Sequence, residues 1–164
     1  PAQIAYIAAG FFFARAEFLV DVPFDPFMPW CFMGEEIALS MRAWTSGWDI
    51  YAPRKNYIAH QYRPGRLGLP KFWASAGRAF RRPILANKLQ RKVIQRVKNL
   101  VGYLSATKEL IEKDDIDIVL TDLEYYGMGK ERTREEYLKL TSMEPTKEKM
   151  VCRKIKWCNQ GLME

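Results

Sequence analysis

Apolar residues recur at helical spacing between residues 34 and 47. Ile37, Met41 and Trp44 stand at i, i+4 and i+7, which places them on one face of a helix. Gly47 follows the last apolar position, where a glycine commonly ends a helix in the left-handed conformation. The pattern therefore predicts a helix with one buried face over this stretch.

A second helical pattern spans about Ala86–Leu104. Its apolar stripe consists of Leu89, Val93, Val97, Leu100 and Leu104, and its basic residues are Lys88, Arg91, Lys92, Arg96 and Lys98. The two sets occupy different faces of the predicted helix. We expect the stripe to pack on the core and the remainder of the helix to form a wholly basic surface.

Short apolar runs between turn signals predict strands. These runs are Ile4–Ala8, Phe11–Ala14, Trp48–Ala52, Tyr57–His60 and Ile116–Leu120. Further helical segments are predicted over Arg15–Val20, over Leu110–Lys113, and from the capping box Thr133–Glu136 through Leu140. A loop is expected over Asp21–Pro26. The mixture of helices and strands predicts an α/β fold.

The composition is that of one ordinary globular domain, with 164 residues of which 48% are hydrophobic and 27% charged. No apolar run approaches the roughly 20 residues of a membrane-spanning helix, so we expect no membrane span. The chain begins at Pro1 and enters an apolar stretch without a basic leader, which indicates a part of a longer protein.

The cysteine content argues against a disulfide framework. The three cysteines, Cys31, Cys152 and Cys158, cannot all pair within one chain, and this odd number favours a reducing, cytoplasmic location. The only histidine is His60, which argues against a zinc site built from repeated Cys and His pairs.

Positive charge is concentrated in one central segment. Residues 1–60 have a net charge of −2, residues 61–108 have +12 without a single acid, and residues 109–164 have −3. Such a segment would attract phosphates, nucleic acid or an acidic protein partner, whereas the plainer interpretation is a basic helix that covers an acidic neighbouring surface. Interleaved aromatic residues keep the nucleic-acid alternative open. They are Tyr62, Phe72, Trp73 and Phe80.

Two adjacent carboxylates, Glu35 and Glu36, stand at the predicted start of the first helix. Either they are ordinary first-turn acids worth about 0.3–1 kcal/mol each, or one of them faces a polar substrate at the helix mouth. In the second interpretation, Trp30 and Phe32 form an aromatic wall for a sugar ring. The local sequence alone favours the capping role.

His60 ends a predicted strand and is followed closely by Arg63. A lone histidine is usually structural, but imidazole can complete the coordination of Mn²⁺, and a guanidinium can bind phosphate oxygens in bidentate fashion. The pair would therefore suit a metal and diphosphate site.

Three other motifs are set aside. Asp115–Asp117 has the Asp-x-Asp pattern of metal sites, but it opens an apolar strand instead of closing one. Gly127–Lys130 lacks the spacing of a phosphate-binding loop, and no Gly-x-Ser-x-Gly nucleophile motif exists for a hydrolase.

The order of features along the chain is more specific than any one of them. The ordered set is Gly10–Phe13, Phe24–Phe27, Gly34–Glu36 with Ser40, Arg42 and Trp44 behind it, then Gly47, Pro53 and His60–Arg63. This set resembles the C-terminal half of the catalytic domain of GT-A glycosyltransferases. It looks most like the retaining, hydroxyproline-directed polypeptide N-acetylglucosaminyltransferases. The resemblance covers residues 7–75 well and the C-terminal third, around residues 126–129 and 132–137, loosely.

The resemblance implies an α/β fold that forms the acceptor-side part of a GT-A nucleotide-diphospho-sugar transferase, with appended helices. Such an enzyme would transfer N-acetylglucosamine from UDP-GlcNAc to a protein hydroxyl, on hydroxyproline or Ser/Thr, with a divalent metal (Mn²⁺ or Mg²⁺). Its partners would be the UDP-sugar donor and a protein acceptor, which argues against nucleic acid. The alternative is a non-enzymatic basic module that binds nucleic acid or an acidic protein.

The resemblance also implies roles for single residues. Glu35 or Glu36 would bind sugar hydroxyls or lie beside the acceptor as the catalytic acids. Phe32 or Trp30 would form the aromatic wall, and Gly34 lies with them on the substrate-binding side. His60 would be the C-terminal metal ligand. Arg63 would contact the nucleotide diphosphate.

The acidic metal motif and the uridine-binding strands of this fold belong to its N-terminal half, and nothing before Gly10 supplies them. We therefore expect the chain to be part of a larger enzyme and to be inactive alone. Within it, residues 1–80 would be the GT-A part, 81–108 a basic amphipathic helix and 109–164 an extension of helices and strands.

Overall fold

The computed structural model describes residues 1–60, 72, 74–75, 78, 83–107, 111, 117–146 and 150–152. Its helices are α1 (Phe18–Asp21), α2 (Glu35–Thr45), α3 (Pro83–Val101), α4 (Leu123–Tyr126) and α5 (Arg134–Thr141), with a 3-10 turn at Leu104–Ala106. Its strands are β1 (Ala2–Gln3), β2 (Tyr51–Ala52), β3 (Met143–Pro145) and β4 (Met150–Cys152). This mixture of helices and short strands is compatible with the expected α/β class.

Both sheets of the described residues are antiparallel pairs of short strands. β1 pairs with β2, with Ala2 opposite Ala52, and the amide of Ile4 extends the pairing by donating to the carbonyl of Ile50 at 2.8 Å. β3 pairs with β4, with Glu144 opposite Val151. The first pair connects the beginning of the chain to the segment that follows α2.

α2 has the boundaries that its pattern predicts. Gly34, in the left-handed region at φ 100°, precedes its first residue, and Gly47, at φ 88°, follows its last turn. Met41 is fully buried, and Ile37 and Trp44 pack against the same core cluster. The predicted helix and its buried face are confirmed.

The main core lies where α2, α3, α5 and β3 meet. It is made of Met41, Val97, Val101, Tyr137, Leu138 and Met143. α5 begins with the predicted capping box, because the Thr133 hydroxyl accepts from the Glu136 amide and the Glu136 carboxylate accepts from the Thr133 amide. The Tyr137 hydroxyl donates to the carbonyl of Ala5, which joins α5 to the N-terminal segment.

A smaller core supports the other side of α2. It contains Ile7, Phe18, Val22 and Ala43, all buried. Phe18 lies in α1, within the stretch predicted as a brief helix, and its ring meets that of Trp48 edge-on at 5.3 Å between centroids. The two cores together fix the N-terminal segment against α2.

The predicted strand Ile4–Ala8 is wrong, although Ala5 and Ile7 are buried. The reason lies in the hydrogen bonds of this segment. The amide of Ile7 donates to the hydroxyl of Ser40 at 2.7 Å, and the amide of Ala9 donates to Glu36 at 2.7 Å. Side chains of α2 therefore satisfy the amides that a neighbouring strand would otherwise bind.

Other strand predictions also differ from the structure. Phe11–Ala14 is not a strand, and Phe13 is 92% exposed. Of the predicted strand Trp48–Ala52, only Tyr51–Ala52 forms a strand. The predicted strand Tyr57–His60 has no regular structure, and its residues are exposed. Within residues 117–120 there is no strand, and Ile116 lies outside the described residues.

α3 confirms the long basic helix but corrects its surface. Val93, Val97 and Leu100 are buried as predicted, whereas Leu104 lies beyond the helix end and is exposed. Two residues assigned to the basic outer face, Lys92 and Arg96, are buried. Their burial reduces the exposed charge that the alternative of a nucleic-acid-binding module would require. No helix in the part of the chain described here is long and apolar enough to cross a membrane.

Candidate active site

A cavity of about 300 Å³ opens at the N-terminal end of α2. Glu35 and Glu36 line it from the first turn of the helix, and Gly34 gives the chain the left-handed turn that leads into that helix. A Cβ on residue 34 would lie 2.7 Å from Cγ1 of Val97, so glycine also lets α2 approach α3. The structure thus brings three of the predicted site residues together.

Glu36 holds one wall of the cavity in place. Its Oε1 accepts from the amide of Ala9 at 2.7 Å, and its carbonyl accepts from the hydroxyl of Ser40 at 2.6 Å. Ser40 in turn accepts from the amide of Ile7 at 2.7 Å. One turn of α2 therefore fixes the backbone of residues 7–9, which lines the cavity beside the two acids.

Of the two acids, Glu35 is the one with a buried carboxylate oxygen that accepts no hydrogen bond from the described residues. Its Oε2 is buried and has no hydrogen-bond partner among the residues that the structure describes. Burial raises the pKa of this carboxyl above its ordinary value, and the charge of Glu36 adds to the effect. A buried acceptor without a partner is costly, so a ligand that donates a hydrogen bond to Oε2 would be favoured.

Arg42 supplies the positive charge of the cavity. Its guanidinium is buried, and it donates to the carbonyl of Pro23 at 2.7 Å and to that of Gly127 at 3.2 Å. Burial lowers the pKa of Arg42, and the nearby carboxylate of Asp25 counteracts that shift. Arg42 follows Glu35 by about two helical turns and so lies on the same side of α2 as Glu35.

Asp25 completes the charged part of the lining. Its Oδ1 accepts from the amide of Phe27 at 2.9 Å, and its Oδ2 accepts from Nε of Arg96 at 2.7 Å. The Arg96 side chain also lies over the ring of Phe27, 5.0 Å from its centroid. The loop from Pro23 to Met28 is therefore held against α3 by a buried ion pair.

The aromatic residues at the cavity are not those that the sequence singled out. Phe12 and Phe24 belong to the lining. Trp30 and Phe32 lie outside it and pack against Phe72, at 5.7 and 5.2 Å between ring centroids. The contact of Trp30 or Phe32 with a sugar stays a prediction.

Family comparison identifies the class of enzyme to which the chain belongs. A family model described as Glycosyltransferase (GlcNAc) matches residues 1–147. The chain belongs to this glycosyltransferase family. The match includes the whole cavity and all of its lining residues. No curated protein and no solved structure gives a significant match to the chain.

Membership establishes the protein as a glycosyltransferase of N-acetylglucosamine, and therefore as an enzyme with a sugar donor and an acceptor. Carboxylates such as those at the mouth of α2 suit this chemistry, because carboxylate oxygens bind sugar hydroxyls well and stabilise positive charge at the anomeric carbon. Both acids stand in the first turn of α2, and Oε2 of Glu35 makes no hydrogen bond to a described residue. The catalytic role of Glu35 and Glu36 stays a prediction.

Sequence reasoning missed the cavity roles of Asp25, Phe12, Phe24 and Arg42 in this glycosyltransferase. The helical pattern gave no signal for Arg42, which lies away from the face of Ile37, Met41 and Trp44 and is nevertheless buried. Gly127 and Gly129 gave one signal. The Gly127 carbonyl accepts from Arg42, and the Gly129 amide donates to the Thr45 hydroxyl at 2.8 Å, so these glycines pack on α2.

His60 lies exposed and outside the cavity lining, and Arg63 lies outside the described residues. In the described part of the glycosyltransferase, no group of three His, Cys, Asp or Glu side chains is placed to hold a metal ion. These residues therefore do not form a complete metal site. The metal-ligand role of His60 stays a prediction.

Proposed function

We propose that this glycosyltransferase transfers N-acetylglucosamine from UDP-GlcNAc to a protein hydroxyl, on hydroxyproline or Ser/Thr, with retention of configuration and with the help of a divalent metal. The ordered resemblance to the hydroxyproline-directed transferases and to the GT-A fold supports the finer part of the proposal. The match of residues 1–147 to the GlcNAc transferase family supports the sugar.

One observation carries the proposal: Glu35 lines the cavity at the mouth of α2, and its buried Oε2 has no hydrogen-bond partner among the described residues. A hydroxyl or amide N–H of the donor sugar would donate to this oxygen. In the ionised form, the carboxylate would also stabilise the positive charge that grows at the anomeric carbon as UDP leaves. Glu36 would hold the backbone at Ala9 in position, because Oε1 of Glu36 accepts a hydrogen bond from the Ala9 amide.

The neighbouring side chains would exclude water from the reacting centre once a bound sugar covers them. Phe12 and Phe24 present apolar ring surface, and Leu39 and Met28 extend it. Water exclusion strengthens the interaction of Glu35 with a developing cation, since the local dielectric falls. It also protects the sugar from hydrolysis in place of transfer.

Metal dependence is part of the proposal, with His60 as one ligand and Arg63 as a diphosphate contact. The described residues do not complete such a site. The proposed roles within the cavity therefore fall to Glu35, Glu36 and the apolar lining alone.

The variant Glu35→Gln tests the catalytic role in the intact protein. The expected result is a fall in turnover of roughly a hundredfold or more without any loss of thermal stability, since Glu35 Oε2 makes no hydrogen bond to a described residue that the change would break. Glu124→Gln, which changes an exposed acid of α4, is the matched control. Full turnover of Glu35→Gln with UDP-GlcNAc and a hydroxyproline peptide would remove Glu35 from the mechanism.

A further inference from the structure

The cavity at the mouth of α2 is mostly apolar, which is unusual for a site that binds only sugar hydroxyls. Ile7, Met28, Cys31 and Leu39 line it together with the carboxylate of Glu35. Its volume, about 300 Å³, lies at the lower end of the roughly 300–1,000 Å³ typical of small-molecule sites. It therefore suits one compact group of mixed polarity.

An acetamido group has the chemistry that these walls complement. Its N–H is a hydrogen-bond donor, and its methyl group is apolar. Oε2 of Glu35 is a buried acceptor that no described residue satisfies, whereas Oε1 of Glu36 is already bound to the amide of Ala9. A glucose 2-hydroxyl would satisfy Glu35 equally well but would leave the apolar walls without a partner.

The charges of the cavity argue against the diphosphate as its occupant. Three carboxylates line it, those of Asp25, Glu35 and Glu36, against the single guanidinium of Arg42. Arg96 balances Asp25 from outside the lining, and Arg42 is engaged with two backbone carbonyls. A doubly charged group would therefore meet net repulsion beside Glu35 and Glu36.

We propose that the pocket formed by Met28, Cys31, Leu39 and Glu35 receives the acetamido group of the donor sugar and so selects N-acetylhexosamines over hexoses. The inference rests on the proposed function, since it places the donor sugar at this cavity. Glu35 accepts from the acetamido N–H, and the methyl group contacts the three apolar side chains. Glucose has no acetamido group to make these contacts, so the pocket selects N-acetylhexosamines.

Two variants of the intact protein test the pocket. Cys31→Leu adds bulk at a half-buried position of the lining, and Met28→Ala removes apolar surface. Each should lower the preference for UDP-GlcNAc over UDP-glucose, measured as the ratio of kcat/KM values, by about tenfold or more, since one methylene in a pocket is worth about 10–200-fold. Met33→Leu is the matched control, because Met33 is 75% exposed and lies outside the lining.

A binding measurement separates this inference from the proposed function. Free N-acetylglucosamine and glucose are titrated into the wild type and both variants and followed by ligand-detected NMR, with melting temperatures confirming that each variant is folded. The inference is supported if a folded variant prefers N-acetylglucosamine over glucose less strongly than the wild type does. This result would support the pocket even if no transfer to peptide is seen and the proposed function fails. Equal binding of the two sugars by the wild type, or an unchanged preference in the folded variants, overturns the inference.

Discussion

Nε of Arg96 lies 2.7 Å from Oδ2 of Asp25, and neither side chain is exposed to solvent. The same guanidinium donates through Nη1 to the carbonyls of Ile118 at 2.6 Å and Thr121 at 2.8 Å. One arginine of α3 therefore joins the loop that lines the cavity to the segment before α4. A residue that the helical pattern assigns to a basic outer face is instead a central support of the site.

Breaking this pair should be costly. Asp25→Ala leaves the buried Arg96 charge without its carboxylate, and we expect a loss of about 3–5 kcal/mol in the free energy of unfolding. Urea denaturation followed by tryptophan fluorescence measures that loss. The double variant Asp25→Ala/Arg96→Met removes both charges and should be less destabilised than the sum of the two single variants. Additive losses would show that the two residues do not interact energetically.

The sequence predicted helices better than strands, and the reason is visible around α2. The spacing of Ile37, Met41 and Trp44 and the glycine at position 47 are local features, and both confirm the helix. The segment at Ile7 resembles a strand because it is a short apolar run, but the Ile7 amide donates to the hydroxyl of Ser40, 33 residues away in sequence. The hydrophobic pattern of an extended segment does not specify which partner its backbone amides will bind.

The candidate site was predicted in part for the same reason. Glu35 and Glu36 are adjacent to a helix start, so their joint placement follows from local sequence. Asp25 and Phe12 reach the cavity through tertiary packing, with Asp25 held by Arg96, 71 residues away. No local pattern encodes such a contact. The placement of Trp30 and Phe32 against Phe72 likewise depends on a long-range contact.

Gly34 and Gly47 offer a matched test of helix packing. Both have positive φ values, 100° and 88°, so alanine at either position should cost about 1–2 kcal/mol of backbone strain. Only Gly34→Ala also places a Cβ 2.7 Å from Cγ1 of Val97, whereas the nearest atom at Gly47 is 3.5 Å away. We therefore expect Gly34→Ala to lose about 1–3 kcal/mol more than Gly47→Ala in urea denaturation.

The variant Val97→Ala provides the check on that explanation. Removing Cγ1 should relieve the clash, so Gly34→Ala/Val97→Ala should lose less stability than the two single variants added together. Equal losses for Gly34→Ala and Gly47→Ala would mean that α2 moves away from α3 at little cost.

His60→Ala tests the proposed metal ligand. If His60 completes the coordination of the divalent ion, the intact enzyme should need about 10–100-fold more Mn²⁺ for half-maximal transfer from UDP-GlcNAc. The melting temperature should hardly change, because His60 lies on the surface. Tyr57→Ala, at another exposed position of the same segment, controls for simple truncation. An identical Mn²⁺ requirement in His60→Ala and wild type would eliminate the assignment.

Glu35 should make stability depend on pH in a definite direction. Burial raises the pKa of its carboxyl in the folded protein, while the unfolded chain keeps a value of about 4.3. Below about pH 4 the group is protonated in both states and has no effect. As the pH rises, the unfolded state loses its proton first, so the folded state loses relative stability until the pH has passed the raised value.

Glu35→Gln removes this titration and should therefore become progressively more stable relative to wild type as the pH rises above about 4, with the difference levelling off once the folded carboxyl is ionised. Urea denaturation of both proteins at half-unit steps between about pH 3.5 and 7.5 measures the trend. Glu124→Gln, which removes an exposed carboxyl, accounts for the general change in net charge. A stability difference between Glu35→Gln and wild type that stays constant across this range would show that the Glu35 carboxyl is as well solvated in the folded protein as in the unfolded chain, and the unpartnered oxygen at the mouth of α2 would lose its significance for sugar binding.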